Sequence, residues 1–174
     1  GLSWYQREHD WIRRELRYPQ QVDMDVACGV VAALSPKTTW DKNKNDALRL
    51  INAWLDEDTS NVTVSTYGRN RQKALDILNG VVLPCHAFSF RTSPKCASFY
   101  HNLRYPSESN IRHVTIDRWA YRVWAGPDAK DYNGLSQRRY KRIADDYRSA
   151  ADELGVLPCQ AQAVTWTVIR ESSR

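Results

Sequence analysis

The stretch DMDVACGVVAAL, residues 23–34, opens on an acid and is apolar on nearly every side thereafter. A helix that is apolar all round belongs inside a fold. Ser35-Pro36 closes it, because the residue before a proline resists the α region. A buried helix needs neighbours that each present an apolar stripe. Residues 3–17 supply one through Trp4, Trp11, Ile12 and Leu16, and residues 41–55 another through Ala47, Leu48, Ile51, Trp54 and Leu55. Residues 56–66 read as a loop. Residues 69–79 turn Ala74, Leu75 and Leu78 inward and stop at Gly80.

Ser93-Pro94 reads as a cap followed by a proline at the first helical position, opening a helix through Cys96, Ala97, Tyr100 and Leu103. Residues 104–113 form a polar loop. Thr115 to Trp124 read as a helix with Asp117 in its first turn. Gly126-Pro127 and Asn133-Gly134 punctuate the next loop. Ser136 caps a long helix with Tyr140, Ile143, Ala144, Tyr147, Ala151 and Leu154 on one face, and Gly155 ends it. Pro158 starts the last helix, to about Arg170. Strand signals are poor. The expected fold is all-α, a single helical domain of about eight helices over residues 1–174.

At 174 residues, 42% apolar and 26% charged, the chain has the balance of a folded domain rather than a disordered one. No apolar run approaches the ~18 residues of a membrane span, and no signal peptide opens the sequence. A cytoplasmic monomer without a membrane partner is expected. Cys28, Cys85, Cys96 and Cys159 are scattered, without zinc or iron–sulfur spacing. They read as reduced thiols, mostly in the core. His9, His86, His101 and His113 are too dispersed to read as ligands, so neither a metal nor a cofactor is expected.

The net charge of +5 is localised. Nine Lys and Arg against four acids lie between Arg104 and Arg142, and the rest of the chain sums to zero. Such an excess marks either a polyanion partner, nucleic acid first among them, or a solvated basic face.

Two residues stand apart chemically. Asp117 lies at a helix start, whose field favours an anion and should keep it ionised. It is either a plain helix cap or a carboxylate that stabilises a developing sugar cation. Lys95 lies in the first turn of another helix, whose field disfavours its ammonium. It is either a solvated lysine, a phosphate contact or a Schiff-base nucleophile.

The segment from Ser93-Pro94-Lys95-Cys96-Ala97 to His113-Val114-Thr115-Ile116-Asp117-Arg118-Trp119-Ala120-Tyr121-Arg122-Val123 resembles the signature of the helix-hairpin-helix DNA glycosylases. In that family a Gly-rich hairpin precedes a lysine, and a Val-Asp-x-His-x-x-Arg-like stretch follows roughly twenty residues later. The resemblance places Lys95 on the catalytic lysine of the bifunctional glycosylase/lyase members and Asp117 on the catalytic aspartate. Ala33-Leu34-Ser35-Pro36-Lys37-Thr38-Thr39-Trp40 resembles the turn that presents a side chain to the gap left by a flipped base. Arg71-Gln72-Lys73-Ala74 is similar to the family's next helix. The likeness spans about residues 23–124 and also implies the all-α fold. Arg91-Thr92-Ser93-Pro94 replaces the hairpin's Gly-x-Gly, and Trp119 stands where many members carry His.

What the resemblance implies is an enzyme that flips a nucleobase out of duplex DNA and cleaves its N-glycosidic bond, a hydrolase of DNA repair with or without lyase activity. Lys37 and Trp40 are the gap-side candidates. Ser93, Arg112, Arg118, Arg122, Arg138 and Arg139 are candidates for the phosphates. His113, Trp119, Gln160, Gln162 and Trp166 are candidate pocket residues, with helix packing as the plainer explanation of each. Two other readings stand beside this one. The first is a transferase of the phage DNA-hypermodification type, attaching an amine or amino acid to an activated hydroxymethyl-pyrimidine. The second is a non-catalytic DNA-binding module.

Overall fold

A computed structural model describes the chain apart from residues 17–21, 127, 128, 130, 131, 133, 134 and 172–174, and apart from the side chains of 170 and 171. The Pro127 and Asn133-Gly134 turn signals, the charges of Asp128, Lys130 and Asp131, and the Arg170 side chain therefore lie outside the described residues. Among the described residues there are eight α-helices and no strand: α1 (Trp4–Glu15), α2 (Met24–Leu34), α3 (Trp40–Leu55), α4 (Gly68–Leu78), α5 (Pro94–Arg104), α6 (Arg118–Ala125), α7 (Gln137–Leu154) and α8 (Pro158–Glu171). A 3-10 turn at Pro84–His86, which the sequence pattern had not suggested, adds one further element. The chain is all-α. It divides into two compact units, one of Gly1–Glu8 with Phe90–Arg174 and the other of His9–Ser89.

In the His9–Ser89 unit α2 is the centre. All its residues but Asp25 and Val26 are buried, and Asp23 accepts the Asp25 amide at 2.9 Å as its N-cap. It packs on α3, α4 and the 3-10 turn. Gly29 makes the last contact possible, since a Cβ there would lie 2.9 Å from Pro84 and 3.3 Å from Ile77. The loop after α3 has no regular structure and is fastened by side chains. Buried Asp46 accepts the Ser65 amide and the Arg49 guanidinium, each at 2.6 Å. Arg49 donates on to the Thr63 carbonyl, and Arg71 donates to the carbonyls of Val62 and Thr59.

In the other unit the core joins Val114, Ile116, Ala120 and Tyr121 to Tyr140, Ile143, Ala144 and Tyr147 of α7. Leu154, expected on the buried face of α7, is 71% exposed, because Gly155 turns left-handed there and ends the packed stretch. Aromatic rings fill a second cluster. Trp4 meets Tyr5, Phe99 and Trp166 at centroid distances of 4.8, 6.5 and 5.0 Å.

All four cysteines are thiols. Cys28 and Cys159 are buried as expected, whereas Cys85 is exposed on the 3-10 turn. No helix among the described residues is long and apolar enough to cross a membrane.

Candidate functional site

The site grows from a short segment outside the helices. It comprises Val114, Thr115 and Ile116; a helix was expected to begin at Thr115, but α6 starts only at Arg118. All three side chains are buried, and their polar groups find partners from elsewhere in the unit. The Tyr140 hydroxyl donates to the Val114 carbonyl at 2.7 Å and accepts the Ile116 amide at 3.1 Å. Tyr132 donates to the Ile116 carbonyl at 3.0 Å, and Asn102 donates to the Thr115 hydroxyl at 3.1 Å. Tertiary hydrogen bonds thus replace the helical ones these residues would have made.

The segment delivers Asp117 to the N-cap of α6. Its Oδ1 accepts the amides of Trp119 at 3.0 Å and Ala120 at 2.8 Å. The cap reading of Asp117 is therefore met in the fold. The helix field favours its anion, and burial acts in the opposite sense. Burial is the largest influence and raises its pKa above the ordinary range, against the opposing pull of the Ala120 amide, Lys95, the Trp119 amide and Arg118. Lys95 and Asp117 are brought within electrostatic reach of each other, Lys95 being the strongest of the charges acting on this carboxylate. Lys95 is half-buried in the first turn of α5. Ser93 occupies the N-cap of α5, but its side chain makes no capping bond, contrary to expectation. With ψ at 51°, its backbone is not in the extended form usual for a capping serine.

Four phenols feel the Asp117 charge: Tyr5, Tyr132, Tyr140 and Tyr147. Burial pushes all four up, Tyr140 and Tyr147 to about 12. They stay neutral and can donate. Tyr147 is held by the Ala120 carbonyl at 3.1 Å and lies 3.2 Å from the Thr165 hydroxyl.

Beyond Asp117, α6 displays a basic and aromatic face. Arg118 and Arg122, one turn apart, lie over the Trp119 ring at 5.3 and 5.2 Å. Arg139 lies over Tyr121 at 5.1 Å and donates to its hydroxyl at 2.7 Å, and Arg142 lies over Trp124 at 5.7 Å. Arg138 is exposed. Arg112 is engaged otherwise, donating to both carboxylate oxygens of Asp152 at 2.9 and 2.8 Å.

The remaining pocket candidates separate. Gln162 is buried and accepts the Tyr5 hydroxyl at 3.0 Å. Gln160 accepts the Leu157 amide at 2.9 Å at the start of α8, and Trp166 packs edge-on against Trp4. Trp119 belongs to the outward face of α6. His113 lies in a cleft of about 370 Å³ with Ser98 and Tyr140. The histidines are less dispersed than their spacing suggests: the rings of His101 and His113 lie 4.7 Å apart, and Phe90 stacks on His113 at 4.5 Å. Burial, His101 and Arg148 together hold His113 down at about 4, and burial lowers His101. Neither the cleft nor the histidine pair was visible in the sequence pattern, because their residues come from separate segments.

In the other unit, Lys37 is exposed and sits in the left-handed region with φ of 59°, a strained backbone for a non-glycine residue. The turn that carries it is tied by the Thr66 hydroxyl donating to the Pro36 carbonyl at 2.6 Å, and Asn70 holds Thr66 at 2.8 Å. Trp40 is the first residue of α3, half-buried beside Lys44, whose ammonium lies 5.5 Å from the centre of its ring.

Searches of curated proteins and of solved structures returned no match. A family model matches residues 1–173, and the chain belongs to that family, described as a family of unknown function (DUF7178).

Proposed function

We propose that the chain is a DNA-base-processing enzyme with a glycosylase-like fold, which takes an extruded nucleobase at Asp117 and breaks its N-glycosidic bond. The observation that carries this reading is that Lys95 and Asp117, residues from two helix starts, lie within electrostatic reach of each other, with phenols beside them that feel the same carboxylate. The resemblance of their flanking sequences to the glycosylase signature assigned roles to the same two residues. The Arg118-Trp119-Arg122 face supports a nucleic-acid partner, since guanidiniums bind phosphates and an aromatic ring stacks on an unpaired base.

In the proposed step the C1′–N bond breaks and its electron pair leaves with the base. The ionised Asp117 carboxylate stabilises the cationic sugar. Water adds to C1′ and gives up a proton, or Lys95 adds after passing its proton to Asp117. In the second case the Lys95–C1′ bond opens the sugar to a Schiff base. A carboxylate whose pKa lies above the ordinary range is a better proton acceptor than a free one.

The test is single-turnover reaction with duplexes carrying a panel of modified bases, with borohydride trapping and mass spectrometry of the released nucleosides. Base release lost in Asp117→Asn, with a trapped adduct lost in Lys95→Ala, supports the proposal. Absence of both release and adduct across the panel overturns it. A heavier nucleoside in place of a lost base identifies transfer instead. One observation favours the non-catalytic module: Asp117 already has a complete structural role as the cap of α6. That reading predicts unchanged DNA affinity in Asp117→Asn.

A further inference from the structure

We propose that the cleft lined by Phe90, Arg91, His113, Gln137, Lys141 and Arg148 is a binding site for a free nucleoside monophosphate, separate from Asp117 and Lys95. The inference does not depend on any catalytic role of Asp117.

Three features select this ligand. The first is charge. Arg91, Lys141 and Arg148 border the cleft, while Asp145 pairs with Lys141 at 2.8 Å and with Arg148 at 2.7 Å. The rim of the cleft is therefore basic, and a phosphate monoester carries nearly two negative charges at neutral pH. The second is the wall. Phe90 is 45% exposed and stacks on His113, which in turn contacts His101. His113 is held neutral well below neutral pH by burial and by the charges of His101 and Arg148, so at pH 7 this wall is an uncharged aromatic surface suited to a planar base. The third is size. About 370 Å³ lies at the small end of ligand pockets and suits one nucleotide rather than a strand. One amide hydrogen of Gln137 is already given to the Arg91 carbonyl, which leaves its amide oxygen to a polar edge of the ligand.

Calorimetric titration of the full chain with a set of nucleoside 5′-monophosphates, the matching nucleosides and inorganic phosphate tests this. Lys141 has a side chain 78% exposed, so Lys141→Gln leaves the fold intact. It should weaken nucleotide and inorganic phosphate alike by about tenfold. Phe90→Ala should weaken nucleotide and nucleoside by about tenfold and leave inorganic phosphate unchanged. Phe90→Leu replaces it if the alanine variant melts early. This crossed pattern supports the proposal. Three results overturn it: no saturable nucleotide binding up to about 5 mM, equal binding by wild type and both variants, or binding only when the nucleotide is the end of an oligonucleotide.

Discussion

Asp117 can be tested for stability apart from any activity, because its two roles respond oppositely to substitution. As a cap, its Oδ1 satisfies two amides, at 3.0 and 2.8 Å. Asp117→Ala removes both bonds and should cost about 1–2 kcal/mol. For a chain of this length each kcal/mol lowers Tm by about 2–4 °C, so a fall of about 2–8 °C is expected. Asp117→Asn keeps an oxygen acceptor at the same position but carries no charge to bury. Burial is the largest influence on this carboxylate and outweighs Lys95, so removing the charge should stabilise the protein at neutral pH. The sign follows from proton linkage. A carboxyl raised in the folded state binds more protons folded than unfolded, so the wild type loses stability as pH rises from about 3.9 through the folded value. Thermal melts across pH 4 to 8 should therefore show Asp117→Asn near the wild type at the acid end and above it at the alkaline end. If Asp117→Asn melts as low as Asp117→Ala at pH 8, the charge is not a burden and the reasoning fails.

His113 and His101 give a second pH signature, of opposite direction. Both are lowered, so both are neutral in the fold and gain protons more readily when unfolded. Stability should fall as pH drops from about 6.5 towards 4, and His113→Gln should flatten that slope in denaturant titrations. Asp46→Ala should cost about 2–4 kcal/mol, because it strips two partners from the loop anchor, and limited proteolysis should then cut within residues 59–66. Lys37→Gly should gain about 1 kcal/mol in chemical denaturation by relieving the left-handed backbone. If DNA lies along α6, replacing Arg118 or Arg122 by Gln should each reduce the slope of log affinity against log salt by about one.

The helices were legible because their stripes and punctuation agree. Asp23, Pro36, Gly80, Ser136, Gly155 and Pro158 mark ends that the fold uses, and the α7 stripe of Tyr140, Ile143, Ala144, Tyr147 and Ala151 is buried as its spacing implied. The start of α6 was not legible. Nothing local marks Val114-Thr115-Ile116 as non-helical, since the decision rests with hydroxyls of Tyr132 and Tyr140 that arrive from later in the chain. Asp117 was found by residue type and position, but its altered proton affinity was not, because burial is a property of the packed unit. The cleft was missed for the same reason. Its walls come from residues near 90, 113 and 141, and no window of sequence contains all three.

The Tyr140 phenol grips the peptide on both sides of Thr115, so it acts as a peg on which the approach to α6 hangs. Removing that one oxygen, as in Tyr140→Phe, would let the approach slip and carry Asp117 with it. An inactive Tyr140→Phe protein would then imitate the loss of a reacting group. Hydrogen exchange at the Ile116 amide tells the two apart, accelerating only where the peg has been pulled.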